Sequence, residues 1–163
     1  MKILANRHVG ILVHNMDAMI DFYTGLGMTM KGYGRMIERG KFIDTILNAD
    51  KCILETTKLT IEDNDLPEKY WFVLELMSLH NDNKSSLDST PDKLKFDINN
   101  HNKGVLDIAF TVDNIYTVSE YVVNQGGSLI GGIEAPPKGY PSLHCYLHDI
   151  EGNVLHIAQN IKH

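Results

Sequence analysis

The stretch HVGILVHNMDAMIDFYTGLGMTMKG, from His8 to Gly32, is written a second time as DIAFTVDNIYTVSEYVVNQGGSLIG, from Asp107 to Gly131. At a constant offset and without a gap, Val13 falls on Val112, Asn15 on Asn114, Asp21 on Glu120, Gly27 on Gly126 and Gly32 on Gly131. Apolar positions match too: Val9 with Ile108, Ile11 with Phe110, Met30 with Leu129. Identities are few; the shared order of strand, cap, helix and glycine stop is what marks a repeat. In the first copy Val9, Ile11 and Val13 alternate with His8, Gly10 and Leu12, which predicts a strand with one apolar side. Asn15 is placed to cap a helix through Leu26, with Met19, Ile20 and Tyr23 on one stripe and Gly27 as its stop. The second copy predicts a strand over Leu106–Val112, a cap at Asn114 and a helix face of Ile115, Val118 and Val122, ended by Gly126 and Gly127.

Three further strands follow each helix. In the first copy they are expected near Met28–Arg35, Lys51–Ile61 and Tyr70–Leu79, with a turn at Asn64–Glu68. In the second they are expected at Ser128–Ile133, Ser142–His148 and Val154–Gln159, with HDIEGN as the last turn. The segment RGKFIDTILNAD is inserted between the second and third strands of the first copy. The polar run from His80 to Gly104 reads as a linker, long enough to act as a lid or an interface arm. The fold class is therefore α+β: one domain over 1–163, made of a βαβββ module at 5–79, a linker at 80–104 and a second module at 105–160. Two such modules side by side are expected to curl a mixed sheet around a central cavity.

The chain has 163 residues, 43% of them hydrophobic and 22% charged, which fits a globular protein rather than a disordered one. A net charge of −6 excludes a basic nucleic-acid footprint. No apolar run reaches the roughly 18–20 residues of a membrane span, so no membrane partner is expected. MKILANRHVG is too short an apolar run for a secretory signal. Cys52 and Cys145 form no CxxC and no disulfide framework, which points to a reducing cytoplasm. There is no P-loop, no dinucleotide fingerprint and no GxSxG elbow. Eight histidines are many for this length and raise the question of a metal.

Strand parity sorts the polar residues. If Val9/Ile11/Val13 and Ile108/Phe110/Val112 pack on the helices, His8 and Asp107 face the cavity. In WFVLELM, Phe72, Leu74 and Leu76 form one face, and Trp71, Val73, Glu75 and Met77 the other. In NVLHIAQ, Leu155 and Ile157 oppose Val154, His156 and Ala158. Glu75 and His156 sit in otherwise apolar strands, where an unpartnered polar group is costly. Grouped, the four residues could satisfy one another through a cation. His144, Tyr146 and His148 share a strand face, as substrate contacts or as a solvated strand end. Trp71 and Met77 flank Glu75 and are candidates to wall a substrate, or plain core. His14, His80, His101 and His163 read as surface, linker or tail.

The segments HVGILVHNMDAMIDFYTGLGM, VLELMS, GVLDIAFTVDN and YLHDIEGNVLHIAQ, in this order and across nearly the whole chain, resemble the vicinal oxygen chelate superfamily. This is the group of glyoxalases, bleomycin resistance proteins and extradiol dioxygenases. The resemblance implies metal ligands on the first and last strands of each module, at His8, Glu75, Asp107 and His156. Two positions depart from the family pattern: Asp107 stands where His is usual, and His156 where Glu is usual. Either the site has decayed, or the second module has exchanged its pair; landing twice on ligating residue types favours exchange. Two imidazoles and two carboxylates suit Zn²⁺, Ni²⁺, Mn²⁺, Fe²⁺ or Co²⁺.

The resemblance implies a metal-dependent lyase, isomerase or epimerase acting on a small oxygen-rich carbonyl substrate through a stabilised enediolate, with Glu75 as the preferred base. The competing readings are a metal-free protein that binds an antibiotic or metabolite, and a non-haem iron dioxygenase. A homodimer is expected, because small units with open sheet edges pair again.

Overall fold

The computed structural model describes residues 7–48, 51–63, 65–81, 107–136 and 141–161. The chain divides into two compact units, Met1–Thr90 and Pro91–His163. In the first, β1 (Val9–Leu12) leads to α1 (Met16–Gly25), β2 (Thr29–Arg39), α2 (Lys41–Leu47), β3 (Cys52–Thr60) and β4 (Val73–Asn81), with a 3-10 turn at Glu68–Tyr70 before β4. The second runs β5 (Ile108–Thr111), α3 (Ile115–Asn124), β6 (Ser128–Glu134), β7 (Ser142–His148) and β8 (Val154–Asn160). Each unit carries a four-stranded mixed sheet, ordered β1-β4-β3-β2 in one and β5-β8-β7-β6 in the other. In both, the first and last strands pair in parallel and the remaining pairs are antiparallel. The α+β repeat expected from the sequence is the fold observed.

Local chemistry explains the elements. Asn15 Oδ1 accepts from Ala18 N at 3.1 Å, and Asn114 Oδ1 from Tyr116 N and Thr117 N at 3.0 and 3.1 Å. Each such cap contributes roughly 1 kcal/mol. Gly27 and Gly126 then turn the chain out of α1 and α3 at φ of 96° and 101°. The buried face of α1 is Met16, Met19, Phe22 and Tyr23, and beneath it lie Leu59, Leu74 and Leu76, all fully buried. In the second unit Ile115, Ser119 and Val122 cover Cys145, Leu147, Leu155 and Ile157. Burial pushes the Cys145 thiol up from its ordinary range, opposed in part by Ser119, so this sulfur is protein core rather than a nucleophile.

Both units also bend at the same place. The β2–β3 register slips between Lys31 and Met36, and the β6–β7 register between Ile130 and Glu134. Gly32 and Gly131 stand at the start of these bulges at φ of 76° and 72°, a conformation that glycine adopts without a steric penalty.

Several boundaries differ from the sequence reading. RGKFIDTILNAD contains α2, whose Ile43 packs with Cys52, Leu54 and Met77. Strand β2 continues past its bulge to Arg39, and β4 continues to Asn81 because Cys52 at the start of β3 pairs with it. His80 is therefore a strand residue paired with Ile53, not part of a linker. Trp71 lies before β4 rather than in it, and His8 and Asp107 each stand one residue before their strands. His101, His163, residues 82–104 of the expected linker and residues 105–106 lie outside the described residues.

Candidate functional site

Strand register builds one row of side chains across the face of the first sheet that α1 leaves open. Lys31 pairs with Lys58, Lys58 with Glu75, and Glu75 with Gly10. Glu75 is buried, and an ionised carboxylate there needs partners. It has two: His8 Nε2 lies 3.0 Å from Oε2, and Lys58 Nζ lies 3.3 Å from Oε1. Among the described residues, His8 Nδ1 is buried and has no hydrogen-bond partner. Met77 comes next to Glu75 on this face, and its Sδ is 2.8 Å from where a Cβ would stand at Gly10. Only a residue without a side chain leaves the thioether undisturbed there.

Trp71 is fixed by its loop. Its Nε1 donates to the carbonyls of Asp63 and Leu66 at 2.8 and 3.0 Å. Lys31 Nζ lies 5.5 Å from the indole ring and 3.1 Å from Glu68 Oε1. The opposite side of the sheet carries a second buried carboxylate, Glu55, which pairs with Arg35 and lies 3.8 Å from His80 Nε2. Arg35 also reaches Asp17 in the first turn of α1, at 2.7 Å. This network ties α1 to its sheet. The expectation of His80 as a solvated linker residue is corrected by it, since Ser78 Oγ also holds that ring at 2.9 Å.

The equivalent row in the second unit has different chemistry. Ile130 pairs with Tyr146, Tyr146 with His156, and His156 with Ala109. Tyr146 and His156 stack, with centroids 4.6 Å apart and planes inclined by 16°. His144 Nδ1 is 3.0 Å from His156 Nε2, and Ser142 Oγ is 2.8 Å from His144 Nε2. His148 Nδ1 meets Ser128 Oγ at 3.1 Å, and desolvation lowers its pKa against the opposing charge of Asp149. Asp107 is half-buried at the position equivalent to His8, and no hydrogen bond or ion pair joins it to His156 among the described residues. The final turn is organised by Asp149, whose Oδ1 accepts from Glu151 N and Asn153 N, both at 2.9 Å. Its Oδ2 accepts from Asn153 Nδ2 at 2.8 Å.

Of the residues singled out from the sequence, His8 meets Glu75, and His144 and Tyr146 meet His156. Among the described residues no three His, Cys, Asp or Glu side chains are grouped so as to hold a metal ion. The His144–His156 contact is a head-on hydrogen bond, with nitrogens 3.0 Å and ring centroids 5.2 Å apart, and its two nitrogens do not converge on a common ion. The His8–Glu75 pair still suits a divalent ion: two donors about 2.1 Å from one ion and about 90° apart lie about 3.0 Å from each other, and this pair has that separation. Lys58 opposes such a fit, because its ammonium already neutralises Glu75. Sequence reasoning missed Lys58; its only signal was a lysine at the open-face parity of β3.

The architecture is that of known glyoxalase-type structures. A glyoxalase family protein from Bacillus cereus is similar over 99% of this chain and 97% of its own, with a TM-score of 0.73 and 20% identity. A glyoxalase-related enzyme from Fulvimarina pelagi has a TM-score of 0.52 and 18% identity, over 98% of this chain and 89% of its own. A V278E mutant of glyoxalase I from Zea mays has a TM-score of 0.56 and 19% identity, over 94% of this chain and 45% of its own. No curated protein sequence matches. The profile of the Glyoxalase/Bleomycin resistance protein/Dioxygenase superfamily matches residues 7–157. The chain belongs to that superfamily, whose members commonly bind divalent metals and small-molecule substrates. No helix among the described residues is long and apolar enough to cross a membrane.

Proposed function

We propose that this protein is a metal-dependent lyase, isomerase or epimerase acting on a small oxygen-rich carbonyl compound. The observation that carries the reading is the buried Glu75 carboxylate with His8 Nε2 at 3.0 Å on the open face of the first sheet. In this reading the ligand residues are His8 and Glu75 in the first unit, and Asp107 and His156 in the second. A divalent ion held by these residues would supply Lewis-acid polarisation of a carbonyl and stabilisation of the negative charge on its oxygen. Glu75 is the base that would take the proton from the carbon next to that carbonyl, once the ion displaces Lys58 from its other oxygen. Trp71 and Met77 in the first unit, and His144, Tyr146 and His148 in the second, are the proposed substrate-contact residues. The two free thiols, both buried, support a cytoplasmic setting. The two edge strands left by each sheet support a homodimer.

One observation favours a second reading, a metal-free binding protein. Lys58 on Glu75, and His144 on His156, satisfy these polar groups without an ion. Elemental analysis of protein purified under metal-replete conditions separates the two, measured beside His8→Ala and His156→Ala. The metal-dependent reading expects about one ion per chain, lost in both variants. Wild-type protein without a divalent metal overturns it in favour of the binding protein. Loss in His8→Ala alone removes His156 from the ligand set.

A further inference from the structure

The geometry points to Lys31 and Lys58 as a seat for a carboxylate, so that the compound received on the open face of the first sheet is an oxo acid rather than a neutral carbonyl compound. The inference rests on the reading that this face binds a small oxygen-rich carbonyl compound, and adds the charge that compound carries.

Lys31 on β2 and Lys58 on β3 are direct register partners, so their side chains leave the sheet on one face. Like charges placed opposite each other on a sheet are destabilising, and each ammonium is answered by a carboxylate. Glu68 Oε1 lies 3.1 Å from Lys31 Nζ, and Glu75 Oε1 lies 3.3 Å from Lys58 Nζ. The two carboxylates differ in kind. Glu75 is 10% exposed and also meets His8, whereas Glu68 is 67% exposed on the 3-10 turn before β4. An ion pair with so exposed a partner contributes about 1 kcal/mol or less, so an arriving carboxylate replaces Glu68 at little cost.

Trp71 holds Lys31 independently of Glu68. The ammonium lies 5.5 Å from the centre of the indole ring, and that ring is fixed by the carbonyls of Asp63 and Leu66. Attraction to an indole face leaves the N–H donors of an ammonium available to an anion. Farther along the same face Ile43 of α2 packs on Cys52, Leu54 and Met77. Lys31 and Lys58 keep 24% and 38% of their side-chain surface, so an anion can reach both. Neighbouring strands lie about 4.8 Å apart, and a molecule seated at the lysines therefore reaches Glu75 through only a few bonds.

The test is ligand-observed NMR on the full chain, with saturation transfer to the methyl protons of pyruvate or of its uncharged methyl ester giving dissociation constants. Wild type is expected to bind pyruvate at least about tenfold more tightly than methyl pyruvate. Lys31→Met and Lys58→Met are each expected to weaken pyruvate about tenfold, and Lys31→Arg to stay within about threefold of wild type. Glu68→Gln removes the competing carboxylate and is expected to tighten pyruvate several-fold, a gain that no loss of structure imitates. Equal binding of acid and ester, lysine variants that bind pyruvate as wild type does, or wild type that binds neither compound each overturns the inference. Inorganic phosphate that displaces pyruvate at concentrations below the pyruvate dissociation constant overturns the carboxylate assignment. Elemental analysis of the same samples reads the metal separately. Metal-free protein that still prefers the acid through its lysines overturns the metal-dependent reading and keeps the inference; metal-loaded protein without that preference does the reverse.

Discussion

Tyr146 lies nearly parallel to His156, with ring centroids 4.6 Å apart, in the row position that Lys58 holds beside Glu75 in the first unit. One fold position thus carries a charge pair in one unit and a stacked aromatic pair in the other. A stacked contact of this kind contributes roughly 0.5–1.5 kcal/mol beyond its buried area. Tyr146→Ala is expected to lose about that much in urea unfolding, and Tyr146→Phe to stay near wild type. Equal losses in both would assign the contribution to the hydroxyl instead of the ring.

In the metal-dependent reading, Lys58 and the ion compete for the Glu75 carboxylate. Lys58→Met keeps the length of the side chain and removes the ammonium, so Co²⁺ affinity is expected to rise several-fold in dialysis. Because Lys58 is partly solvated, its pairing contributes only about 1 kcal/mol or less to stability. An affinity that falls on substitution would show that Lys58 supports the bound state.

The Asp149 carboxylate closes the β7–β8 turn through three hydrogen bonds, two to backbone N–H groups and one to the Asn153 amide. Asp149→Ala leaves these donors to water or unpaired, at a cost of roughly 2–4 kcal/mol. Asp149→Asn keeps an acceptor and is expected to lose about half as much. The urea midpoint of the two variants against wild type measures the difference.

His148 makes stability depend on pH. Its folded pKa lies below the ordinary 6.5 because burial disfavours the cation, with Asp149 opposing. The unfolded chain therefore binds more protons in that range, and stability rises with pH. The contribution is complete above about pH 6.5 and is lost as pH falls toward the folded value. His148→Gln is expected to flatten that part of the stability–pH curve, read from melting temperatures between about pH 5 and 8. An unchanged slope would move the effect to another group.

The helices and strands that face the core could be read from the sequence, because apolar alternation, Asn15, Asn114, Gly27 and Gly126 all act locally. Helix α2 could not. Its seven residues bury only Ile43, and it starts at Gly40 with no side-chain cap; its one sign was the spacing of Phe42, Ile43, Ile46 and Leu47. The faces carrying Glu75 and His156 were legible from parity. Lys58 beside Glu75 and the bond between His144 and His156 were not, since cross-strand register is a tertiary property and a slip of one residue turns every side chain over. His80 was misplaced for the same reason. Its pairing with Ile53, and that of Asn81 with Cys52, show that β4 runs on.

The bulges at Gly32 and Gly131 bear on ancestry. A shared strand order can arise twice, since few arrangements of βαβββ are open to a chain. An interruption of the same ladder at the same point is a blemish, and a matching blemish is inherited more readily than reinvented. The two halves are best understood as one ancestral piece copied and joined, with its irregularity carried along. What diverged afterwards was the row beside the bend: lysines and a carboxylate in one half, phenol and imidazole in the other.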